Sequence, residues 1–288
     1  MARRLRVLAR PLADAVYRAL DAVFRPFDQR YVVRTPVLRH LPSAAARRGG
    51  KHAYAEWAHI VGLFQALIRQ AVPAPVANRI LDVGCGTGLL GLAAAPYVAD
   101  GGAYTGLDVQ AADIARARRT CPFDSHRFVH LAAANPAYDT AGAAPRRPWP
   151  VAASSQDLVT ALSVWTHFAE ADARFYMAEV TRVLKPGGRA IVTAFVLDDA
   201  YDEAGERRGS WVFDRPAYGS KAWFTTPWAG VPEEAIAITP AGLDDMLAAA
   251  GLVPETVYPG SWKAPGGLYF QDILVLAKPP GRHQPASD

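Results

Sequence analysis

Ile80-Leu81-Asp82-Val83-Gly84-Cys85-Gly86-Thr87-Gly88 runs from an apolar strand into three glycines at alternate positions, with an acid two residues before the first. A strand that ends this way must turn sharply, and the missing side chains let the backbone come close to a ligand lying across the strand end. Such a crevice suits a nucleotide-type ligand. Dinucleotide folds that grip a pyrophosphate place their third glycine three residues after the second, which here is position 89, and that residue is Leu89. The spacing therefore speaks against NAD.

Together with the helical run at 89–95, the nine residues resemble the first motif of the class I S-adenosylmethionine (SAM) dependent methyltransferases. Residues 104–109 read as a second strand ending in a carboxylate. Asp108 lies 20 residues past Gly88, the separation at which an acid at the second strand's end reaches the ribose hydroxyls of a nucleoside over the glycine turn. The plainer alternative is that Asp108 only caps the helix expected over 110–119. A buried fourth strand is expected over 157–164. Residues 174–189 read as a helix with a proline-glycine stop before a fifth strand at 190–197, and within them Glu179-Val180-Thr181-Arg182-Val183-Leu184-Lys185-Pro186-Gly187-Gly188 is similar to a motif specific to the same class. The resemblance spans 78–198. It implies a doubly wound, mostly parallel seven-stranded sheet with an antiparallel last strand, SAM as cofactor, and an α/β class.

Composition sets the outer limits. With 288 residues and 51% apolar content the chain can bury one substantial core. No run of about 18 apolar residues is present, so no membrane span is expected. Arg10, Pro11, Asp14 and Arg18 interrupt any signal-peptide core, and the only cysteines are Cys85 and Cys121; a reducing cytoplasm is the expected location. Residues 1–51 hold twelve basic side chains against Asp14, Asp21 and Asp28, a net of +9, which leaves −5 for the remainder of a chain whose total is +4. The positive charge thus sits in an N-terminal extension and not on the catalytic part, so nucleic acid is not an expected partner. Leu12, Val16, Leu20, Val23 and Phe24 recur there at helical spacing. Two readings are open: a helix on an anionic membrane surface, or one packed on its own domain or a second subunit.

The domain division that follows is a basic extension at 1–50, a catalytic domain at 51–278 and a disordered tail at 279–288, the tail being entered at Lys278. An amphipathic helix over 52–71 precedes the first strand. An insertion at 200–238 is dense in aromatics, including Tyr201, Trp211, Phe213, Tyr218, Trp223, Phe224 and Trp228, and is expected either as an acceptor-facing lid or as a small satellite core. A helix over 239–250 and an antiparallel pair, 252–258 and 269–277, close the domain. Gly260-Ser261-Trp262 and Tyr269-Phe270-Gln271-Asp272-Ile273 resemble the ending of a bacterial subgroup of small-molecule methyltransferases, as do Ser163-Val164-Trp165-Thr166-His167 and Phe195-Val196-Leu197-Asp198-Asp199.

The resemblance implies cofactor contacts from Asp82, Gly84, Cys85, Gly86, Gly88, Asp108, Val109 and Ser163, with Tyr54 closing from before the first strand, where Lys51, Glu56 and Trp57 also lie. Relatives carry an acid just after the third strand, near the adenine amino group; this chain has Ala132-Ala133-Ala134-Asn135, and Asn135, able to donate and accept, is the expected substitute. His167 and Asp198 are the candidate catalytic residues. A hydroxyl acceptor gains from a base near neutrality, and His167 lies just past the fourth strand, where parallel sheets carry their catalytic groups. Asp198 or Asp199 could orient it, bind an acceptor hydroxyl, or join it around a divalent ion, though no metal is expected. The function these residues suggest is O-methylation of a small hydroxylated acceptor such as a sugar, glycolipid or secondary metabolite. N- or C-methylation and non-catalytic SAM binding are the alternatives.

Overall fold

The computed structural model describes residues 2–48, 53–138, 144 and 146–280. Lys51, His52 and the tail from 281 onward lie outside the described residues. Helix α1 (Ala2–Tyr31) comes first, and two short 3-10 turns, Pro36–His40 and Ala44–Ala46, lead to α2 (Tyr54–Ala71). The alternation then follows as β1 (Arg79–Val83), α3 (Leu89–Ala94), β2 (Ala103–Asp108), α4 (Ala111–Thr120), β3 (His126–His130), β4 (Gln156–Ala161), α5 (Glu170–Val183) and β5 (Leu184–Ala194). After α6 (Asp199–Ala204), three short strands, β6 (Arg215–Pro216), β7 (Trp223–Thr225) and β8 (Ile236–Ile238), form a small antiparallel sheet of their own. Helix α7 (Pro240–Ala250), β9 (Val253–Tyr258) and β10 (Asp272–Ala277) complete the chain.

The large sheet has the order β3-β2-β1-β4-β5-β10-β9. Its pairs from β3 to β5 are parallel, while β10 runs antiparallel to both β5 and β9. Seven strands with one reversed is the arrangement the motifs imply. Both faces are covered because the strand residues alternate: Leu81, Val159, Val192 and Leu274 enter the layer with α5 and α7, whereas Ile80, Leu158, Ile191 and Ile273 enter the layer with α2 and α3. Burial on both faces explains why these strands read as unbroken apolar runs.

Several boundaries shift for physical reasons. Strand β4 ends at Ala161 and not at 164, because Ser163 adopts a positive φ of 59° that turns the chain out of the sheet. Strand β5 begins at Leu184, directly after α5, and its pairing with β4 slips around Gln156 and Leu158. Lys278 is no part of a tail: its Nζ donates to the carbonyls of Thr181 and Leu184, each at 2.7 Å, tying the end of β10 to the end of α5.

The aromatic insertion resolves mainly into a satellite core. Phe195, Tyr201, Phe213 and Trp262 form its buried centre, with Trp211 and Phe224 against it, and Trp223 joins the main core. At its base lies a buried ion cluster. Lys263, whose side chain is wholly inaccessible, places Nζ 2.8 Å from Asp198, 3.0 Å from Asp272 and 2.9 Å from the carbonyl oxygen of Val196.

Candidate active site

A cavity of 1210 Å³ opens over the C-terminal ends of the central strands, where a doubly wound sheet carries its ligands. The glycine turn forms one wall. Gly84 has a φ of +69°, and a Cβ there would lie 2.4 Å from Val164 Cγ2, so neither the backbone nor the neighbouring chain admits a side chain. Gly86, at φ +51°, faces open space, which leaves its backbone accessible to a ligand. Gly88 plays a different part. It sits outside the cavity lining, at φ +95°, as the residue that turns the chain into α3. Thr87 closes the turn from behind by donating through Oγ1 to the carbonyl of Ala46, 2.6 Å away in the N-terminal arm.

Asp108 stands at the end of β2 on the cavity wall. Its Oδ2 accepts from the backbone N–H of Gly86 and its Oδ1 from that of Gln110, both at 2.7 Å, which bolts the carboxylate to the glycine turn. Each oxygen of an ionised carboxylate keeps a further lone-pair direction, enough to receive two ribose hydroxyls. The cap reading is not met, since Gln110 itself is the N-cap of α4 and the helix receives no side-chain cap bond; Asp108 only holds the turn that leads into it. Burial raises its pKa, while the bonds from Gln110 and Gly86 oppose the shift.

Asp82 is more enclosed. Tyr104 donates its hydroxyl to Oδ2 and Thr160 donates to Oδ1, and burial raises the pKa to about 7. With both oxygens held by hydroxyls of the sheet, Asp82 braces the wall beneath the glycine turn. Cys85 and Val109 also line the cavity, and burial pushes the Cys85 thiol up, so it is a packed neutral group. Ser163, another lining residue, donates through Oγ to Oε1 of Gln271 at 3.0 Å, an oxygen that also accepts from Thr193 at 2.6 Å. These two hydroxyls set the orientation of the Gln271 amide at the cavity edge.

Three expected residues are placed otherwise. Asn135 lines the cavity, but its Nδ2 donates to the carbonyl of His167 at 2.9 Å and its Oδ1 accepts from Ala137, so it buttresses the His167 turn in addition to any contact with adenine. Tyr54 is absent from the lining; it lies under the Arg47 guanidinium, 5.4 Å from its ring centroid, in the arm behind the site. Asp198 is also absent from the lining. It caps α6 by accepting from the Tyr201 N–H and pairs with Lys263, so its charge is already neutralised inside the satellite core. Among the described residues no group of three histidine, cysteine or acidic side chains is placed to hold a metal.

His167 does face the cavity, from the 3-10 turn Trp165–His167. Its Nδ1 lies 2.7 Å from the carbonyl oxygen of Glu233, brought in by the segment before β8. Burial lowers its pKa, a shift that the Glu233 carbonyl opposes. Tyr138 meets it edge-on at 5.4 Å.

The rest of the lining was not legible as a set. Phe195, Trp211 and Phe270 form one aromatic wall, with Trp211 5.1 Å from each of the other two rings. Phe168, Tyr176 and Trp149 stack into another, at 4.9 and 5.7 Å. Trp149 comes from the alanine- and proline-rich loop after β3, where an isolated tryptophan was the available signal. Glu56 and Trp57 line the cavity as expected from their position before β1, and Arg48 joins them from the arm, paired with Asp113 at 3.0 Å.

The residues fit a sulfonium nucleoside. Six carboxylates, of Glu56, Asp82, Asp108, Asp113, Asp172 and Glu234, contribute to the lining, against Arg48 as the only arginine or lysine among the described lining residues. Asp113 is paired with Arg48 and Asp172 with Arg146, and Asp82 is held between two hydroxyls, so the unpaired negative charge that favours a bound cation comes from Glu56, Asp108 and Glu234. Gly84, Gly86, Asp108 and Val109 would hold the nucleoside, and Arg48 and Glu56 offer opposite charges to an amino-acid moiety.

Residues 81–190 match the family model described as a methyltransferase domain. Among solved structures, a SAM-dependent methyltransferase from Methanosarcina mazei superposes with a TM-score of 0.50 at 20% identity, covering 74% of this chain and 97% of that one. The [4+2]-cyclase SpnF gives 0.52 at 19% identity, covering 92% and 96%. A candidate O-methyltransferase from Nostoc punctiforme gives 0.52 at 17% identity, covering 78% and 58%. At these identities the likeness to the solved structures is one of fold. The family match falls on the same stretch of chain that builds the crevice over the glycine turn, so residues 81–190 form a methyltransferase domain of the SAM-dependent kind, with SAM as its cofactor.

Proposed function

We propose that this methyltransferase acts on the hydroxyl group of a small acceptor, with His167 as the base. The observation that carries the reading is the hydrogen bond from His167 Nδ1 to the Glu233 carbonyl, at 2.7 Å. A carbonyl oxygen only accepts, so in the neutral ring Nδ1 bears the proton and Nε2 bears a free lone pair. Burial depresses the pKa, which keeps Nε2 unprotonated at neutral pH. SAM supplies an electrophilic methyl group on a sulfonium. The protein's share is to orient the acceptor, exclude water and receive the hydroxyl proton on Nε2 as the oxygen becomes nucleophilic.

The aromatic walls and the Gln271 amide support a hydroxylated acceptor with a ring system. Rings such as Trp211 and Phe270 bury large flat area at low entropic cost, and a small number of fixed polar groups then selects the orientation. Gln271 Nε2 has no hydrogen-bond partner among the described residues, and it lies beside Ser163 on the cavity edge.

The test is turnover of SAM with a panel of hydroxylated acceptors, followed by His167→Ala with the best of them. The variant should lose ~100-fold or more in kcat with SAM affinity unchanged. Wild-type kcat should rise with pH through a value below the ordinary histidine pKa near 6.5 and level off by neutrality. The same shift makes a stability statement: the unfolded chain takes up this proton more readily, so the contribution is complete above about 6.5 and is lost as pH falls through the folded value. A His167→Ala enzyme that works at full rate removes the base and favours an amine acceptor.

A further inference from the structure

Helix α1 turns its polar edge inward and its apolar edge to solvent, the reverse of an ordinary surface helix. Tyr17, Asp21, Arg25 and Gln29 recur every four residues on the edge that meets the domain, and all are buried or half-buried. Tyr17 accepts from the Tyr54 N–H at 2.7 Å, Asp21 takes the Arg47 guanidinium at 2.7 Å and the Ala44 N–H at 3.0 Å, and Gln29 donates to the Leu41 carbonyl at 3.0 Å. This is a fixed attachment, and Asp21 and Arg47 are both nearly inaccessible in it.

On the opposite edge Leu12, Val16, Leu20, Val23, Phe27 and Tyr31 follow at steps of three and four, forming one continuous stripe. Each of them is at least half exposed, from 50% for Val16 to 74% for Tyr31. Single exposed apolar residues carry no message, but a row of six along one helix is an interaction surface. Packing on its own domain therefore does not cover the stripe, which stays at least half exposed along its length.

We infer that α1 docks on a lipid bilayer with anionic headgroups. Charge selects this occupant. The helix contains seven arginines, at 3, 4, 6, 10, 18, 25 and 30, against three aspartates, and Asp21 is already neutralised by Arg47. Two copies joined through this stripe would bring like-charged arms together, whereas an anionic surface supplies the opposite charge while its acyl region receives the apolar edge. Arg18 and Arg30 are exposed, and long arginine side chains reach headgroup phosphates from a helix lying in the interface. No helix among the described residues is long and apolar enough to cross a membrane, so the attachment is peripheral.

The test is flotation of the full-length protein with vesicles of phosphatidylcholine and phosphatidylglycerol, and with phosphatidylcholine alone. Binding should be at least about tenfold stronger to the anionic vesicles and should weaken as salt is raised to about 0.5 M. Leu20→Glu combined with Phe27→Glu should weaken it about tenfold or more while SAM affinity by calorimetry stays unchanged, since neither side chain lines the cavity. Arg18→Glu combined with Arg30→Glu should weaken it as well. Absence of flotation with anionic vesicles, equal binding to neutral ones, or a lipid-free dimer that the Leu20 and Phe27 changes dissociate would each overturn the inference.

Discussion

The two ends of the cavity are built in opposite ways. The end proposed to hold the nucleoside is lined by backbone and short side chains of one continuous stretch, Asp82 to Val109, held by hydrogen bonds of 2.5 to 2.9 Å among themselves and to Thr160. At the end proposed to take the acceptor the walls are large aromatic side chains delivered by separate parts of the chain, such as Trp149, Tyr176, Phe195, Trp211 and Phe270. The first end is defined by where the backbone can go, and the second by which side chains meet. A nucleoside that is the same in every turnover is served by fixed dipoles, whereas an acceptor surface made of exchangeable rings can differ between proteins on one scaffold.

This contrast can be broken at its frame. Lys263 joins the end of β5, the satellite core and β10, and removing it would leave Asp272 buried without its countercharge. Lys263→Ala should therefore lower stability by about 3 to 5 kcal/mol in denaturant unfolding. A loss near zero would mean that the acceptor end does not depend on that cluster. At the nucleoside end, Asp108→Ala removes an acceptor for two backbone N–H groups as well as the proposed ribose contact. SAM affinity by calorimetry should fall by about 1.5 to 3 kcal/mol, with Asp108→Asn intermediate because it keeps one acceptor oxygen.

Trp211→Ala should separate the two ends most directly. It stands on the acceptor wall and away from the glycine turn, so the acceptor KM should rise about tenfold while SAM affinity is unchanged. A parallel loss of SAM affinity would show the ends to be one coupled surface. The smallest effect is expected at Asp198. Its side chain is one-third exposed and paired away from the cavity, so Asp198→Asn should leave kcat within about twofold. A large loss of turnover there would return Asp198 to the catalytic group.

The amino-acid sequence by itself determined the sheet and the nucleoside end. Strand, glycine turn and acid are contiguous or regularly spaced, and their consequence is local: a positive φ at Gly84 and Gly86 and a carboxylate at the next strand's end follow from chain geometry alone. It also marked His167 and two amphipathic helices. What only the tertiary structure decided was the destination of side chains whose partners lie far along the chain. Asp108 and Asp198 both leave the ends of strands in sequence, yet one faces the cavity because β2 ends there, and the other is drawn away by Lys263, 65 residues later. Helices α1 and α2 both show apolar residues at helical spacing, more sharply in α1, yet Trp57, Ile60, Val61 and Phe64 of α2 are buried while the stripe of α1 is not. Periodicity reports that a face exists; only the surfaces brought against it, here the buried pairing of Asp21 with Arg47 on one side and open solvent on the other, decide which way it turns.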